Sequence, residues 1–373
     1  MLCTVEQFLS EKIDERVEEG NYRTLRADEG LIDFTSNDYL GLARSIDLDT
    51  LVSDEFASIA IKRNGTSGSR LLSGNNAYIQ QVESEIAAFH EASAALIFNS
   101  GFDANYGLLS CLPKADDVVI LDELVHASIH DGARANKAEK LFFKHNDITH
   151  LESILATSKH RLKYIVVESL YSMDGDLADL KSMVELCKKY NANLIVDEAH
   201  ATGVVGERGE GLCQYLNVEN EIFARIVTFG KALGVHGAAV LGSTDLMKYL
   251  INFSRPFIYS TALPLHSIAA IRMSYQFLPF QTVLRKQLDT NIRYFHKTLN
   301  FENRAISPIQ QITIGSNEAA VEFSAKLSAV GIDARAIRYP TVARGQERIR
   351  ICIHSFNTRE EIDLLCNTIK NEQ

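Results

Sequence analysis

Asn193-Leu-Ile-Val-Asp-Glu-Ala-His-Ala-Thr-Gly203 begins as an apolar run and ends in an acid and a histidine. A run that is apolar almost end to end is the mark of a strand buried on both faces, as in a parallel sheet. The polar residues come only where such a strand would leave the sheet. Working outward, the pattern repeats. Upstream, Lys163-Tyr-Ile-Val-Val167 leads into Glu168-Ser-Leu-Tyr-Ser-Met-Asp-Gly-Asp176, and Asp117-Val-Val-Ile-Leu121 leads into Asp122-Glu-Leu-Val-His126. Downstream, Arg225-Ile-Val-Thr228 leads into Phe229-Gly-Lys231. Ala94-Ala-Leu-Ile-Phe98 is a further run, and Ala238-Ala-Val-Leu241 reads as an added antiparallel strand. Helix-like stretches lie between the runs, at Tyr78 to His90, Thr149 to Thr157 and Leu177 to Tyr190. This alternation predicts an α/β fold around a mostly parallel sheet.

After Ser274 the pattern changes. A polar helix over Gln281 to Leu299 precedes strand-like Gln310-Gln-Ile-Thr-Ile-Gly315, a helix over Glu318 to Val330, strands over Asp333 to Arg338 and Arg348 to Ile353, and a last helix over Glu360 to Ile369. At the other end, Thr4-Val-Glu-Gln7 is a capping box. It opens a helix with Val5, Phe8, Leu9, Ile13 and Val17 at roughly helical spacing, followed by a short strand-like run, Leu31 to Ser36. The expectation is a large domain over residues 40–270. Residues 1–39 and 271–373 then form a smaller α+β domain, against which the first helix packs.

Composition narrows the functions. The chain has 373 residues, 46% hydrophobic and 23% charged, the balance of an ordinary globular protein. A net charge of −10 with no dense basic patch argues against nucleic acid or an anionic membrane as partner. No run of about 18 apolar residues suggests a membrane anchor. The first residues lack a basic region followed by an apolar core, so no signal peptide is expected. The six cysteines, Cys3, Cys111, Cys187, Cys213, Cys352 and Cys366, show no metal-ligand spacing, so no metal site is expected. They read as free thiols of a cytoplasmic protein.

In open α/β sheets, ligands gather at the carboxyl ends of the strands. Four such ends here supply acid, imidazole, hydroxyl and amine. Lys231, between Gly230 and Gly234, is a candidate for Schiff-base chemistry, because small neighbours let a bulky ligand approach the chain. Asp197 suits a pyridinium nitrogen, His200 a ring oxygen and His126 the face of a ring. Ser100-Gly-Phe-Asp-Ala-Asn105 reads as a helix start whose amides suit a phosphate. Taken singly, Lys231 reads as a solvated loop lysine and Asp197 as a helix cap. Their joint placement carries the weight. Gly65-Thr-Ser-Gly-Ser69 matches neither a P-loop nor a dinucleotide fingerprint.

These segments resemble the α-oxoamine synthase family of fold-type I pyridoxal-phosphate (PLP) enzymes over nearly the whole chain. The matching pieces are Ser36-Asn-Asp-Tyr-Leu-Gly-Leu42, Gly68-Ser-Arg-Leu-Leu-Ser-Gly74, Asn99-Ser-Gly-Phe102, His126-Ala-Ser128, His145-Asn-Asp147, Ser172-Met-Asp-Gly-Asp176, Val196-Asp-Glu-Ala-His-Ala-Thr-Gly203 and Thr228-Phe-Gly-Lys231. The resemblance implies the PLP-dependent transferase fold type I, with a sheet of the seven-stranded type. It implies a Schiff base on Lys231, with Asp197 on the ring nitrogen, His200 and Ser172 near the ring oxygen, and His126 stacked on the ring. Gly101, Phe102 and Thr228 are placed at the phosphate, with Ser260 or Thr261 reaching the phosphate of a neighbouring subunit. A homodimer is therefore implied. Arg350 is assigned the amino-acid carboxylate, and Arg23, Asn37 and Thr341, with His126, the substrate. Three segments tilt toward the members that join L-alanine to a pimeloyl thioester, on coenzyme A or a carrier protein, in biotin synthesis: Thr228-Phe-Gly-Lys231, Ile258-Tyr-Ser-Thr261, and Ala336-Ile-Arg-Tyr-Pro-Thr-Val342 with Arg348-Ile-Arg350. The chain departs from that pattern at Arg338-Tyr-Pro340 and Ala343, in a loop assigned to substrate.

Overall fold

The computed structural model describes residues 4–25, 27, 30–60, 62–301 and 305–372; Cys3 lies outside them. The six apolar runs, with one further strand, form a seven-stranded sheet. Its strands are β1 (Ala94–Phe98), β2 (Val118–Asp122), β3 (Glu139–Phe143), β4 (Lys163–Glu168), β5 (Asn193–Asp197), β6 (Ala224–Thr228) and β7 (Ala238–Gly242). The spatial order is β1-β7-β6-β5-β4-β2-β3. The five strands from β6 to β3 run parallel, and β7 is antiparallel to both its neighbours, as Ala238–Leu241 suggested. Val119, Ile120, Ile165, Val166, Leu194, Ile195 and Ile226 have no solvent exposure, which is what their unbroken apolar runs require. β3 has no such run and was not legible in the sequence. It is one of the two edge strands, with Glu139 and Phe142 exposed.

The parallel strands reverse direction of winding between β2 and β4, so the sheet offers a crevice at their carboxyl ends. Two helices start there. Ser100 caps α1 (Gly101–Cys111) by accepting from Asp103 N, and His126 caps α2 (Ala127–Arg134) by accepting from Ser128 N. The other expected helices of this part form at Ala77–Phe89, Ile148–Thr157 and Leu180–Tyr190.

The chain divides into two units. One comprises residues 37–172 and 176–287, and the other residues 1–36, 173–175 and 288–373. The division thus falls inside α3 (Thr282–Leu299), whereas the compositional change lies near residue 270. Helix Leu265–Phe277 is apolar and belongs with the sheet. In the smaller unit, Arg348–Cys352 is the middle strand of three, antiparallel to Ile309–Thr313 and Arg335–Ile337. Residues 173–175 belong there because Arg348 Nη1 lies 2.6 Å from Asp174 Oδ1 and Gly175 leaves no room for a Cβ beside Ile309 O.

Two strand expectations shrink. Leu31 to Ser36 reduces to Ile32–Asp33, because the Asp33 carboxylate accepts from Thr35 N and Ser36 N and turns the chain. Asp333 to Arg338 breaks into Ile332–Asp333 and Arg335–Ile337. The first helix, Val5–Glu18, has its capping box, but no residue of it is buried. Val5, Phe8, Leu9, Ile13 and Val17 are all exposed, so its apolar row does not pack as the spacing suggested. The five described cysteines are free thiols.

Candidate active site

The carboxyl ends of β2, β4, β5 and β6 deliver their polar residues to one cleft with about 510 Å³ of empty space. Its lining includes Gly101, Phe102, His126, Asp197, His200, Thr228 and Lys231, seven of the residues singled out in the sequence. It also includes Asn105, Ser128 and Glu168, which sequence reasoning missed. Asn105 and Ser128 stand at the ends of the segments Ser100–Asn105 and His126–Ser128 noted in the sequence, but nothing local shows what each faces across the fold. Glu168 was visible as the last residue of a buried strand.

Lys231 follows β6, and its Nζ lies 2.6 Å from His200 Nε2. His200 Nδ1 is 2.6 Å from the hydroxyl of the fully buried Tyr39, which donates to Asn37 Oδ1 at 3.0 Å. If that hydroxyl proton goes to Asn37, His200 Nδ1 carries the proton given to Tyr39, and Nε2 accepts from the lysine. Asn37 therefore reaches the amine through two side chains.

Asp197 is 4% exposed. Its Oδ2 accepts from Asn105 Nδ2 at 2.7 Å and its Oδ1 from Ala199 N at 2.9 Å. The same Asn105 amide donates to Ser128 Oγ at 3.1 Å, and Ser128 Oγ lies 2.7 Å from His126 Nδ1. Ser128 N also donates to that Nδ1, so the ring accepts there and its neutral tautomer carries hydrogen on Nε2. Burial lowers the His126 pKa, against the opposing pull of Asp197. One network thus fixes the carboxylate, the amide and a neutral imidazole relative to each other.

At the start of α1, the amides of Gly101 and Phe102 are not used by the Ser100 cap. A Cβ on Gly101 would lie 3.6 Å from Thr228 Oγ1 and fill the gap between helix and strand end. Thr228 itself donates its hydroxyl to Gly237 O at 3.2 Å. Its proton is engaged within the protein rather than offered to the cleft. Ser172 is buried, and its amide donates to Glu168 Oε2 at 3.1 Å. Thr261 accepts from Asn99 Nδ2 through its carbonyl and lines a different cavity, with Ser260.

The donor set suits a phosphorylated pyridine aldehyde. Helix-start amides would meet its phosphate, a held carboxylate its ring nitrogen, a neutral imidazole its ring face, and an amine its aldehyde carbon.

The remaining substrate candidates lie in the smaller unit. Arg23 Nη2 donates to Thr341 Oγ1 at 3.1 Å. Both line a cleft of that unit with Arg335, Arg338 and Tyr339. Arg338 is tied to Gly20 O and Tyr22 O, and Arg335 to Asp333. Arg350 sits on the central strand, paired with Arg335 and Gln311, and its Nη1 lies 2.9 Å from Cys352 Sγ.

The model of one family, aminotransferase class I and II, matches residues 29–369. An 8-amino-7-oxononanoate synthase of Emericella nidulans is 39% identical over 363 residues, covering 91% of this chain and 88% of its own. 8-Amino-7-oxononanoate synthase 2 of Bacillus subtilis is 37% identical, covering 98% and 97%. Among solved structures, a serine palmitoyltransferase from S. paucimobilis with bound PLP–myriocin aldimine superposes with TM-score 0.89 at 26% identity, over 100% of this chain and 98% of that one. An 8-amino-7-oxononanoate synthase from Francisella tularensis superposes with TM-score 0.77 at 28% identity, over 92% and 99%. With its sheet, its cleft and a family match across most of its length, the chain belongs to the aminotransferase class I and II family of PLP-dependent enzymes and has the PLP-dependent transferase fold type I.

Proposed function

We propose that this chain is an α-oxoamine synthase that condenses L-alanine with a pimeloyl thioester, releasing the thiol and CO2, to give 8-amino-7-oxononanoate for biotin synthesis. The observation that carries the chemistry is the Lys231–His200 contact at 2.6 Å in the same cleft as the doubly bonded Asp197 carboxylate. The names of the relatives, at 36–39% identity, support the substrate pair.

Bound PLP supplies an electron sink for the bond breaking at the amino acid's α-carbon. Asp197, held by Asn105 and Ala199 N, keeps a proton on the ring nitrogen. His126, in its neutral form, would hold the face of the ring. His200 holds the ring oxygen and, in the free chain, positions Lys231 Nζ. Lys231 would hold the cofactor through its aldehyde carbon, and its amine would carry the α-proton of the amino acid. The amides of Gly101 and Phe102 hold the phosphate. Arg350 is assigned the amino-acid carboxylate as a bidentate donor. Arg23, Asn37 and Thr341 are assigned to substrate, Arg23 to a carboxylate or the acyl chain. A homodimer with Thr261 reaching the partner's phosphate is part of the same reading.

A second reading, condensation of serine with palmitoyl coenzyme A, is favoured by the superposition on serine palmitoyltransferase over the full chain. Thiol release separates the two. L-Alanine with pimeloyl coenzyme A is expected to react fastest, ahead of serine with palmitoyl and glycine with acetyl coenzyme A. Release with another pair and none with alanine and pimeloyl coenzyme A overturns the substrate assignment.

A further inference from the structure

Glu168 ends β4 and has no part in the chemistry above. It is 2% exposed, and the strand register sets it directly beside Asp197. The two are the only acids among the described residues lining the cleft. Two carboxylates side by side and buried do not both ionise readily. Their surroundings decide which holds the proton. Asp197 receives a donor on each oxygen. Glu168 Oε2 accepts from Ser172 N, but its buried Oε1 has no hydrogen-bond partner. A buried carboxylate oxygen that receives no donor is the costlier place for charge.

We propose that Glu168 is a positioning residue of this site: a carboxyl kept protonated at Oε1 beside Asp197, so that Asp197 carries the single negative charge that meets the cofactor's ring nitrogen. Only the last clause rests on the cofactor reading. The groups that act on Glu168 from neighbouring elements are Asp197 at the end of β5, Lys231 after β6, the amides of Ser172 and His126, and the Tyr171 hydroxyl. Burial and then the Asp197 charge push its carboxyl up to about 8, against the opposing pull of Lys231. In the unfolded chain the same carboxyl ionises near 4.5. Between these values the unfolded state loses a proton that the folded state keeps, so this group makes stability fall as pH rises, with no further loss above the folded pKa.

The test is infrared spectroscopy on the full chain, with and without added pyridoxal phosphate. The wild type is expected to show the carbonyl stretch of a protonated carboxylic acid at pH 6. That band should disappear with a midpoint near 8 and be missing from Glu168→Gln. In Asp197→Asn the midpoint should move to lower pH. A wild type without the band at pH 6, or a midpoint indifferent to Asp197→Asn, overturns the proposal. Should Glu168→Gln fold poorly, the wild-type titration and the Asp197→Asn comparison decide alone. Where it folds, its thermal midpoint should gain a few degrees on the wild type between pH 5 and pH 8. A gap that does not grow with pH contradicts the protonated form. In the holoenzyme, a visible-absorbance transition near pH 8 should be lost in Glu168→Gln. A protonated-acid band without any cofactor binding would leave Glu168 as assigned and remove the cofactor reading instead.

Discussion

At the scale of single residues, the site works through how few partners each group has. Asn105 is the clearest case. Its amide nitrogen holds Asp197 Oδ2 and Ser128 Oγ at once, and it is 2% exposed. Asn105→Ala removes a donor from a buried carboxylate, a loss of about 1–3 kcal/mol. Pyridoxal phosphate should then bind more weakly, by about 5- to 150-fold on that scale, while circular dichroism stays that of the wild type. Unchanged affinity would show that Ala199 N alone holds the carboxylate. Lys231, Asp197, His200 and His126 were legible in the sequence because each comes just after a strand that is apolar throughout. Asn105 was not, because the fifth residue of an ordinary helix carries no local sign of what lies across from it. Thr228 was visible, but the sequence could not show that its hydroxyl proton goes to Gly237 O.

At the scale of elements, the cleft depends on loops being held at strand ends. His145 does this between β2 and the loop after β4. Its Nδ1 lies 3.0 Å from Asp122 Oδ1 and its Nε2 2.9 Å from Asp176 Oδ2. Despite the cost of burial, the two carboxylates raise its pKa to about 10, from 6.5 in the free side chain. The charged imidazole therefore contributes stability that is fully present below about pH 6.5 and is lost as pH rises through about 10. Thermal melts of His145→Asn against wild type should show their widest gap near pH 6, narrowing by pH 10. A gap of constant width would mean that the pair acts without charge. Gly234 is a second fixed point, with φ +70° and no space for a Cβ beside Leu42 and Ala43. Gly234→Ala combines left-handed backbone strain with a clash, so a loss of about 1–3 kcal/mol or more is expected in denaturant melts. The loop anchors were only partly legible. His145-Asn-Asp147 stands out as a motif, but its two acids lie 23 and 31 residues away. Strand β3 was missed because an edge strand has one neighbour and needs no continuous apolar run.

At the scale of the molecule, the α/β class and the antiparallel β7 followed from the order of apolar runs. The division between units was less legible. It lies within α3, whose polar sequence is continuous across Gln287 and Leu288, so composition has nothing to register there. The exposed row on the first helix shows the converse, a helical period without burial behind it. All these features converge on a cofactor anchored at one lysine. The most direct measurement is to incubate the purified chain with pyridoxal phosphate, reduce it with borohydride, digest it and locate the label by mass spectrometry. The expected result is one phosphopyridoxyl group on the peptide carrying Lys231, absent from a folded Lys231→Ala variant that also has no turnover. A label on another lysine, or no label with the protein colourless, would contradict the assignment of this cleft.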